Sequence, residues 1–219
     1  MAWFAPDFNR FFKDLAANNN KEWFNANRTR YERSVKKPFE EFVAEMIRRI
    51  HAVDKDVNIE PKDAIFRINR DIRFSKDKTP YKLSRAAIIS PKGRMDHGIP
   101  GIYFEIGPEA IRVYGGRYMP EKEDLQRIRE HIAADPRKFR TLHQAPGFAR
   151  AFGEVLGEKN KVLPKEFRKA ADQEPLLYNK QFYYGAELPA GKVTDPGLVE
   201  TFMDYYAAMR PMNRFLMLE

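Results

Sequence analysis

Apolar residues repeat with two different periods along this chain, and the change of period near residue 57 limits the fold more than any other feature of the sequence. Before it, apolar positions lie three and four residues apart, as on one face of a helix. After it, short apolar stretches lie between turn-forming residues, as in strands. Helices followed by strands, without regular alternation of the two, predict an α+β fold.

Three helices are predicted within the first fifty residues. Asp7 is placed to cap the first helix, which ends at the asparagines 18–20. Asn19 followed by Glu22 resembles a capping box that starts the second helix. Pro38 suits the first turn of the third helix, because its missing N–H is not needed there. This third helix has the clearest apolar stripe, made of Phe39, Phe42, Val43, Met46, Ile47 and Ile50.

Four short strands are predicted next, and a fifth candidate follows much later in the chain. They cover residues 65–74, 86–90, 102–106 and 110–114, with the later candidate at 182–184. Gly107-Pro108-Glu109 is typical of a hairpin turn. Short connections between successive strands favour antiparallel pairing, because parallel neighbours need a long crossover. We therefore expect a mainly antiparallel sheet of four or five strands.

Further helices are predicted after the fourth strand. They start at Pro120, at Asp135-Pro136, at Pro164 and at Asp195-Pro196, and the last one reaches about Met209. No repeat of fixed period and no linker divides the sequence. We therefore expect a single domain over residues 1–219, in which the N-terminal helices and the C-terminal helices pack on the sheet.

The composition narrows the class of protein. The 219 residues include no cysteine, which excludes disulfides and thiolate chemistry and is typical of a reducing compartment. No apolar stretch approaches the ~20 residues of a membrane helix, and the N-terminus lacks a basic segment followed by an apolar one. We expect a cytoplasmic protein without membrane association. The net charge of +8 favours an acidic partner, either a phosphorylated small molecule or a nucleic acid; the alternative is a basic excess that is only a solvated surface.

The sequence lacks the motifs of the common metal, nucleotide and hydrolase sites. It contains no GxxxxGK[ST], no GxGxxG and no GxSxG. Its four histidines, His51, His97, His131 and His143, are scattered rather than grouped at ligand spacing. We therefore expect neither a bound metal nor a cofactor.

Two glycines form a secondary candidate for anion binding. Gly115 and Gly116 follow the fourth predicted strand and precede the Pro120 helix, so their backbone N–H groups are available in principle to a phosphate. The alternative is a tight turn that needs the conformational freedom of glycine. The sequence leaves both interpretations open.

The main candidate for chemistry is the basic stretch 64–85, AIFRINRDIRFSKDKTPYKLSR. It has seven Lys or Arg residues and two acids. Strand alternation predicts that Phe66 and Phe74 share an apolar face, while Arg67 and Arg73 lie on the other. Arg70 falls on the apolar face, where it needs a bulge, a carboxylate or an anion. The predicted ligand-binding residues are Arg67, Arg70, Arg73, Lys76, Lys78, Tyr81 and Lys82.

Three functions fit this basic strand and turn. The first is binding of a phosphate-containing ligand or a nucleic acid, because arginine forks grip phosphate and lysines add positive charge. The second is an enzyme for a phosphorylated substrate, with Asp71 as general base or metal ligand. The third is a non-catalytic interaction module whose arginines pair with acids such as Glu22, Glu105 or Glu109. The sequence does not decide whether the protein is an enzyme.

The basic motif also resembles a known family. RINRDIRFSKDKTPYK at 67–82, preceded by NNKEWF at 19–24 and followed by the glycine pair and the Pro120 helix, is similar to the domain of unknown function 2461 family. The most specific part is the RDxRFxxDKTPYK pattern, and the resemblance extends over nearly the whole chain in the same order. It implies one intact domain of mostly bacterial and some fungal distribution, with no established activity, substrate or cofactor and therefore no assigned catalytic residue.

Overall fold

Helices make up about half of the chain in a computed structural model, which describes residues 2–95 and 98–218. The α-helices in those ranges are α1 (Asp7–Ala17), α2 (Lys21–Ala26), α3 (Arg28–Tyr31), α4 (Lys37–Val53), α5 (Pro61–Ala64), α6 (Lys122–Ala134), α7 (Pro136–His143), α8 (Pro146–Phe152), α9 (Arg168–Ala171) and α10 (Leu198–Leu216). A π-helical segment, Glu32–Lys36, joins α3 to α4. None of the helices in the described part is long and apolar enough to span a membrane.

Four strands form one antiparallel sheet. They are β1 (Arg85–Ile89), β2 (Ile102–Ile106), β3 (Ala110–Arg117) and β4 (Phe182–Pro189), and they lie in the order β1-β2-β3-β4. In β2 every second residue is buried, which gives the strand one core face. The predicted α+β fold with a mainly antiparallel sheet and helices at both ends is confirmed.

The predicted strand at 65–74 is wrong. Residues 65 and 69 make only isolated bridges, and the segment between them and beyond is irregular. Phe74, which alternation assigns to the apolar face, is 95% exposed. The reason is local, because backbone pairing with residues 80–86 stops at Arg70. Beyond this point Arg70 pairs with Asp77, and Arg73 pairs with Asp71, within a turn of the chain.

The chain contains two compact units, and the prediction of one domain stays a prediction. The first unit comprises Met1–Arg94, Tyr103–Val113 and Glu187–Met203. Its core is rich in aromatic rings that meet edge to face or tilted, at centroid distances of 4.7–6.5 Å. These fully buried rings belong to Phe4, Phe8, Phe12, Phe39, Phe42, Phe104 and Phe202.

The second unit comprises Met95–Ile102, Tyr114–Ala186 and Asp204–Glu219. Its buried aromatic residues include Phe139, Phe148, Phe182, Tyr184 and Phe215. The Tyr184 hydroxyl donates to Asn213 Oδ1, which also accepts the Gly116 N–H at 3.0 Å. Burial raises the pKa of the Tyr184 hydroxyl well above its ordinary value, so Tyr184 remains a neutral donor.

Several helix ends differ from the prediction. Asp7 is the first helical residue rather than the cap, and its carboxylate pairs with Arg30 at 2.6 Å. That hydrogen bond holds the pKa of the Asp7 carboxyl at about 2. Asn20, not Asn19, caps α2 through a bond from the Trp23 N–H.

The later helices also differ in extent. Helix α6 begins at Lys122, two residues after Pro120, and α8 lies in a segment for which the sequence predicts no helix. Helix α10 continues to Leu216 through Pro211, although proline normally ends a helix. Buried Met212, Phe215 and Leu216 anchor this extension, so packing outweighs the helix-breaking tendency of proline.

Candidate functional site

Residues 65–87 form an irregular hairpin, called here the basic hairpin. Its two sides meet at the antiparallel bridges Ile65–Ala87 and Asn69–Tyr81. The Phe66 N–H donates to the Ala86 carbonyl at 3.0 Å, and the Arg70 N–H donates to the Pro80 carbonyl at 2.9 Å. Pairing does not continue beyond Arg70, so residues 71–79 form the tip of the hairpin.

Charged side chains at the tip bind one another. The Arg70 guanidinium donates to the Asp77 carboxylate and to the Thr79 hydroxyl. Arg73 grips Asp71 with two bonds of 3.0 and 2.7 Å. Two of the predicted anion-binding arginines therefore already have carboxylate partners, and these are local acids rather than the Glu22, Glu105 or Glu109 of the structural alternative.

The remaining cations and the aromatic residue of the tip are exposed. Lys78 Nζ donates to the Ile72 carbonyl at 2.9 Å, and Lys76 is exposed to solvent. The Arg73 guanidinium lies 5.8 Å from the centroid of the exposed Phe74 ring. The tip therefore presents these side chains outward to solvent.

Asp71 is a poor general base in this arrangement. Its hydrogen bonds from the Arg73 side chain and backbone hold the pKa of its carboxyl at about 2. A base is most effective when its pKa lies near the working pH. The two bonds from Arg73 also occupy its oxygens, so the geometry gives no support to the catalytic role considered for Asp71.

Tyr81 is fixed within the fold instead of facing a ligand. Its ring is buried and stacks on Phe24 at a centroid distance of 4.0 Å. Its backbone makes two reciprocal bonds with the Asn19 side chain: Asn19 Nδ2 donates to the Tyr81 carbonyl at 2.9 Å, and the Tyr81 N–H donates to Asn19 Oδ1 at 3.1 Å. Asn19 and Phe24 thereby connect the basic hairpin to the N-terminal helices.

We expect Asn19→Ala to lower the free energy of unfolding by roughly 1–3 kcal/mol, because it leaves the Tyr81 N–H and carbonyl without protein partners. Urea denaturation followed by circular dichroism measures this change. Asn18→Ala is the matched control, since the exposed Asn18 side chain makes one bond, to the Asp14 carbonyl. Equal effects of the two substitutions would show that Asn19 does not anchor the hairpin.

A basic cleft lies at the base of this hairpin. It has a volume of about 720 Å³, and its lining includes five cations and one carboxylate. The cations are Lys62, Arg67, Lys82, Arg85 and Arg94, the carboxylate is Glu40, and the other lining residues are Pro61, Ile65 and Phe66. A cleft of this size is in the range typical of small-molecule sites.

Arg85 is the most unusual residue of the cleft lining. It is 5% exposed, its Nη1 donates to the Phe66 carbonyl at 2.9 Å, and its guanidinium lies 5.3 Å from the centroid of the Phe39 ring. Its Nε has no hydrogen-bond partner within the described residues. Burial lowers the pKa of the Arg85 guanidinium, while the nearby Tyr31 hydroxyl and Glu40 carboxylate oppose that decrease.

Lys82 and Arg67 add positive charge beside Arg85. Burial lowers the pKa of Lys82; the carboxylate of Glu105 opposes the decrease, and the positive charges of Arg85 and Arg67 add to it. The Lys82 ammonium lies 5.6 Å from the centroid of the Phe66 ring, a weak compensation for the lost water. The positive charges of Arg67, Lys82 and Arg85 therefore repel one another in a part of the cleft that is partly shielded from water.

Two of the lining residues, Lys62 and Arg94, lie on backbone segments that approach each other closely. Arg94 Nε donates to the Lys62 carbonyl at 3.3 Å. Gly93, next to it, has φ +57°, and a Cβ there would lie 2.5 Å from the Asp63 carbonyl oxygen. Glycine at position 93 therefore allows Arg94 to reach α5.

The structure brings only part of the predicted site together. Arg67 and Lys82 line the cleft, whereas Arg70, Arg73, Lys76, Lys78 and Tyr81 do not belong to its lining. Sequence reasoning missed Lys62, Arg94 and Glu40 and left Arg85 out of the site. A basic residue at the start of the apolar strand RAAII was the one available signal for Arg85.

Gly115 and Gly116 are engaged by contacts within the fold. Gly115 and Gly116 lie inside β3, and Gly116 has φ +85°. The Gly116 N–H donates to Asn213 Oδ1, so it is already bonded. A Cβ at Gly115 would lie 2.7 Å from the Tyr184 ring. The Gly116 N–H is therefore engaged within the fold, and the Tyr184 ring packs against Gly115.

Within residues 2–95 and 98–218, no group of three or more His, Cys, Asp or Glu side chains is arranged to hold a metal ion. His97, one of the four histidines considered above, lies outside the described residues.

Comparison with known proteins identifies a family. No curated protein and no solved structure matches the chain. A family model described as conserved hypothetical protein (DUF2461) matches residues 7–215. This range includes both sides of the basic hairpin, the residues that line the cleft and the glycine pair of β3. With nearly its whole length matched, the chain belongs to the domain of unknown function 2461 family.

Proposed function

We propose that this protein binds a ligand through a phosphate group held in the basic cleft. The observation that supports the proposal most directly is Arg85, a 5%-exposed guanidinium whose Nε has no partner in the described part of the chain. A buried charge is costly unless it is paired and hydrogen-bonded. A phosphate oxygen would supply both the charge and the missing acceptor.

The residues around Arg85 fit a phosphate better than a structural ion pair. Neither Arg67 nor Lys82 makes a salt bridge with any described acid, although Lys62 pairs with Glu60 at 2.5 Å. Arginine presents a planar fork that grips phosphate with two bonds, and lysine adds a point charge. Anion binding would also relieve the mutual repulsion of Arg67, Lys82 and Arg85.

The proposed ligand is the phosphate-containing one that the sequence predicts, but the proposed site is the cleft and not the hairpin tip. Arg67 and Lys82 remain from the predicted set, and Arg85 becomes the central residue. Arg70 and Arg73 are paired with Asp77 and Asp71 and are excluded from the site. We also propose a cytoplasmic location, because a chain without cysteine suits a reducing compartment.

Isothermal titration calorimetry with pyrophosphate tests the proposal. We expect Arg85→Lys to weaken binding by roughly 10- to 100-fold, because lysine keeps the charge but loses the Nε donor and the fork, and a charged hydrogen bond contributes about 1.5–3 kcal/mol. Lys82→Met provides a second variant that removes one cation without emptying a buried position, and we expect it to weaken binding as well. Circular dichroism verifies that each variant is folded.

Arg73→Ala is the control, because Arg73 lies at the hairpin tip and is paired with Asp71. It should leave pyrophosphate affinity unchanged. The proposal is overturned if wild type binds neither pyrophosphate nor a nucleotide, or if Arg73→Ala weakens binding as much as Arg85→Lys. Binding confined to long oligonucleotides, with a steep salt dependence, would also overturn it in favour of a nucleic-acid surface.

A further inference from the structure

We infer that the ligand of the basic cleft has a hydroxyl group beside its phosphate, and that the Glu40 carboxylate accepts the hydrogen bond of this hydroxyl. The inference rests on the proposed phosphate site and specifies its ligand class as a phosphorylated sugar, either free or as part of a nucleotide. It also makes Glu40 a residue that determines specificity.

The lining of the cleft includes one carboxylate, that of Glu40, beside five cations. It is half-buried, and no hydrogen bond or ion pair engages it in the described part of the molecule. Burial lowers the pKa of Arg85, and the Glu40 carboxylate opposes this decrease, although less than Tyr31 does. Glu40 therefore lies within electrostatic range of the central guanidinium. A carboxylate needed only to neutralise the cleft would be expected to pair with one of these cations.

The backbone of Glu40 is held firmly. The residue lies in the first turn of α4, and its neighbours Phe39, Phe42 and Val43 are fully buried. Phe39 also contacts the Arg85 guanidinium through its ring face. One short segment of α4 therefore positions both the ring beneath Arg85 and the carboxylate of the cleft.

An ionised carboxylate is only an acceptor, so it favours a ligand that offers an O–H donor. It disfavours a simple phosphate through repulsion between like charges. The cleft volume of about 720 Å³ exceeds the space that a phosphate needs and leaves room for a sugar. Pro61, Ile65 and Phe66 supply apolar surface for the carbon skeleton.

The test compares two ligands and three proteins by calorimetry. The ligands are ribose 5-phosphate, which has hydroxyl groups, and phenyl phosphate, which has none besides its phosphate. The proteins are wild type, Glu40→Gln and Glu41→Gln. Glu41 is the matched control, because it lies next to Glu40 in α4 but is exposed and outside the cleft lining.

We expect Glu40→Gln to weaken ribose 5-phosphate binding by at least about 5-fold, because a neutral amide is a weaker acceptor than a carboxylate. The same substitution should strengthen phenyl phosphate binding by a few-fold, because it removes a like charge. Glu41→Gln should change neither affinity by more than about 2-fold, because an exposed charge is screened by salt.

Equal effects of Glu40→Gln on both ligands, or no effect on either, would overturn the role of Glu40 while leaving the phosphate site intact. Failure of wild type to bind either ligand or pyrophosphate would overturn the phosphate site itself. The two failures are therefore distinguishable.

Discussion

Replacing Phe42 with alanine is expected to lower the free energy of unfolding by about 3–5 kcal/mol. Phe42 is fully buried and contacts four other rings, those of Trp3, Phe4, Phe104 and Phe202, at centroid distances of 5.3–6.1 Å. Alanine leaves a cavity among these rings and removes their edge contacts. Urea or guanidinium denaturation of the purified protein measures the change.

Phe74→Ala is the matched control for this experiment. It removes the same side chain from a position that is 95% exposed, so the free energy of unfolding should change by no more than about 0.5 kcal/mol. Comparable losses from the two substitutions would contradict the assignment of Phe42 to the core of the first unit. A selective effect of Phe42→Ala would also confirm the packing that fixes Phe39 and Glu40 on α4.

Gly116→Ala is the second substitution with a large expected effect. Gly116 has φ +85°, and a Cβ there would lie 2.2 Å from the Phe182 carbonyl oxygen and 3.0 Å from the Tyr183 Cα. The backbone conformation costs about 1–2 kcal/mol for a residue with a side chain, and separating the two strands adds about 1–3 kcal/mol. We expect a loss of about 3 kcal/mol in the free energy of unfolding, measured by denaturant titration.

Gly147→Ala is the corresponding control in the same unit. Gly147 lies in α8, and apart from its chain neighbours and the backbone of that helix, no atom of the described residues lies within 4 Å of a Cβ at this position. Alanine is the better helix former, so this substitution should raise the free energy of unfolding by up to about 1 kcal/mol. If Gly116→Ala were tolerated equally well, β3 and β4 would not approach as closely as described.

The sequence predicted elements whose signals are local. The apolar stripe of α4 is buried as expected, from Phe39 to Ile50. Strand β2 has the predicted bounds, and Asp135 caps α7 by accepting the Lys138 N–H at 2.9 Å. In each case a regular spacing or a capping side chain lies within a few residues, so tertiary contacts reinforce the local preference.

The basic hairpin shows where local reasoning fails. Alternating apolar residues at 66, 68, 72 and 74 predict a strand, but alternation does not reveal whether a backbone partner is present. Partners exist only as far as Arg70, after which Asp71 and Asp77 bind the arginines of the tip. The basic residues that alternation places on one strand therefore lie in two places: Arg67 lines the cleft, and Arg73 lies at the exposed tip.

The candidate site could be predicted only in part, because its residues are distant in sequence. Glu40 comes from α4, Lys62 from α5, Lys82 from the basic hairpin and Arg94 from the short 3₁₀ helix Gly93–Met95 after β1. Their meeting depends on tertiary features such as the reciprocal bonds of Asn19. The chemistry of the motif nevertheless indicated an anion as the ligand to test, and Arg67 and Lys82 remain in the proposed site.

A crystal structure with tungstate tests the central claim most directly, because tungstate has the shape of phosphate and its metal scatters X-rays anomalously. The proposed site predicts a tungsten peak in the basic cleft, with a tungstate oxygen about 3 Å from Arg85 Nε. A cleft without tungstate in crystals whose hairpin tip binds it at Arg73 or Lys76 would contradict the proposal and return the anion site to the tip.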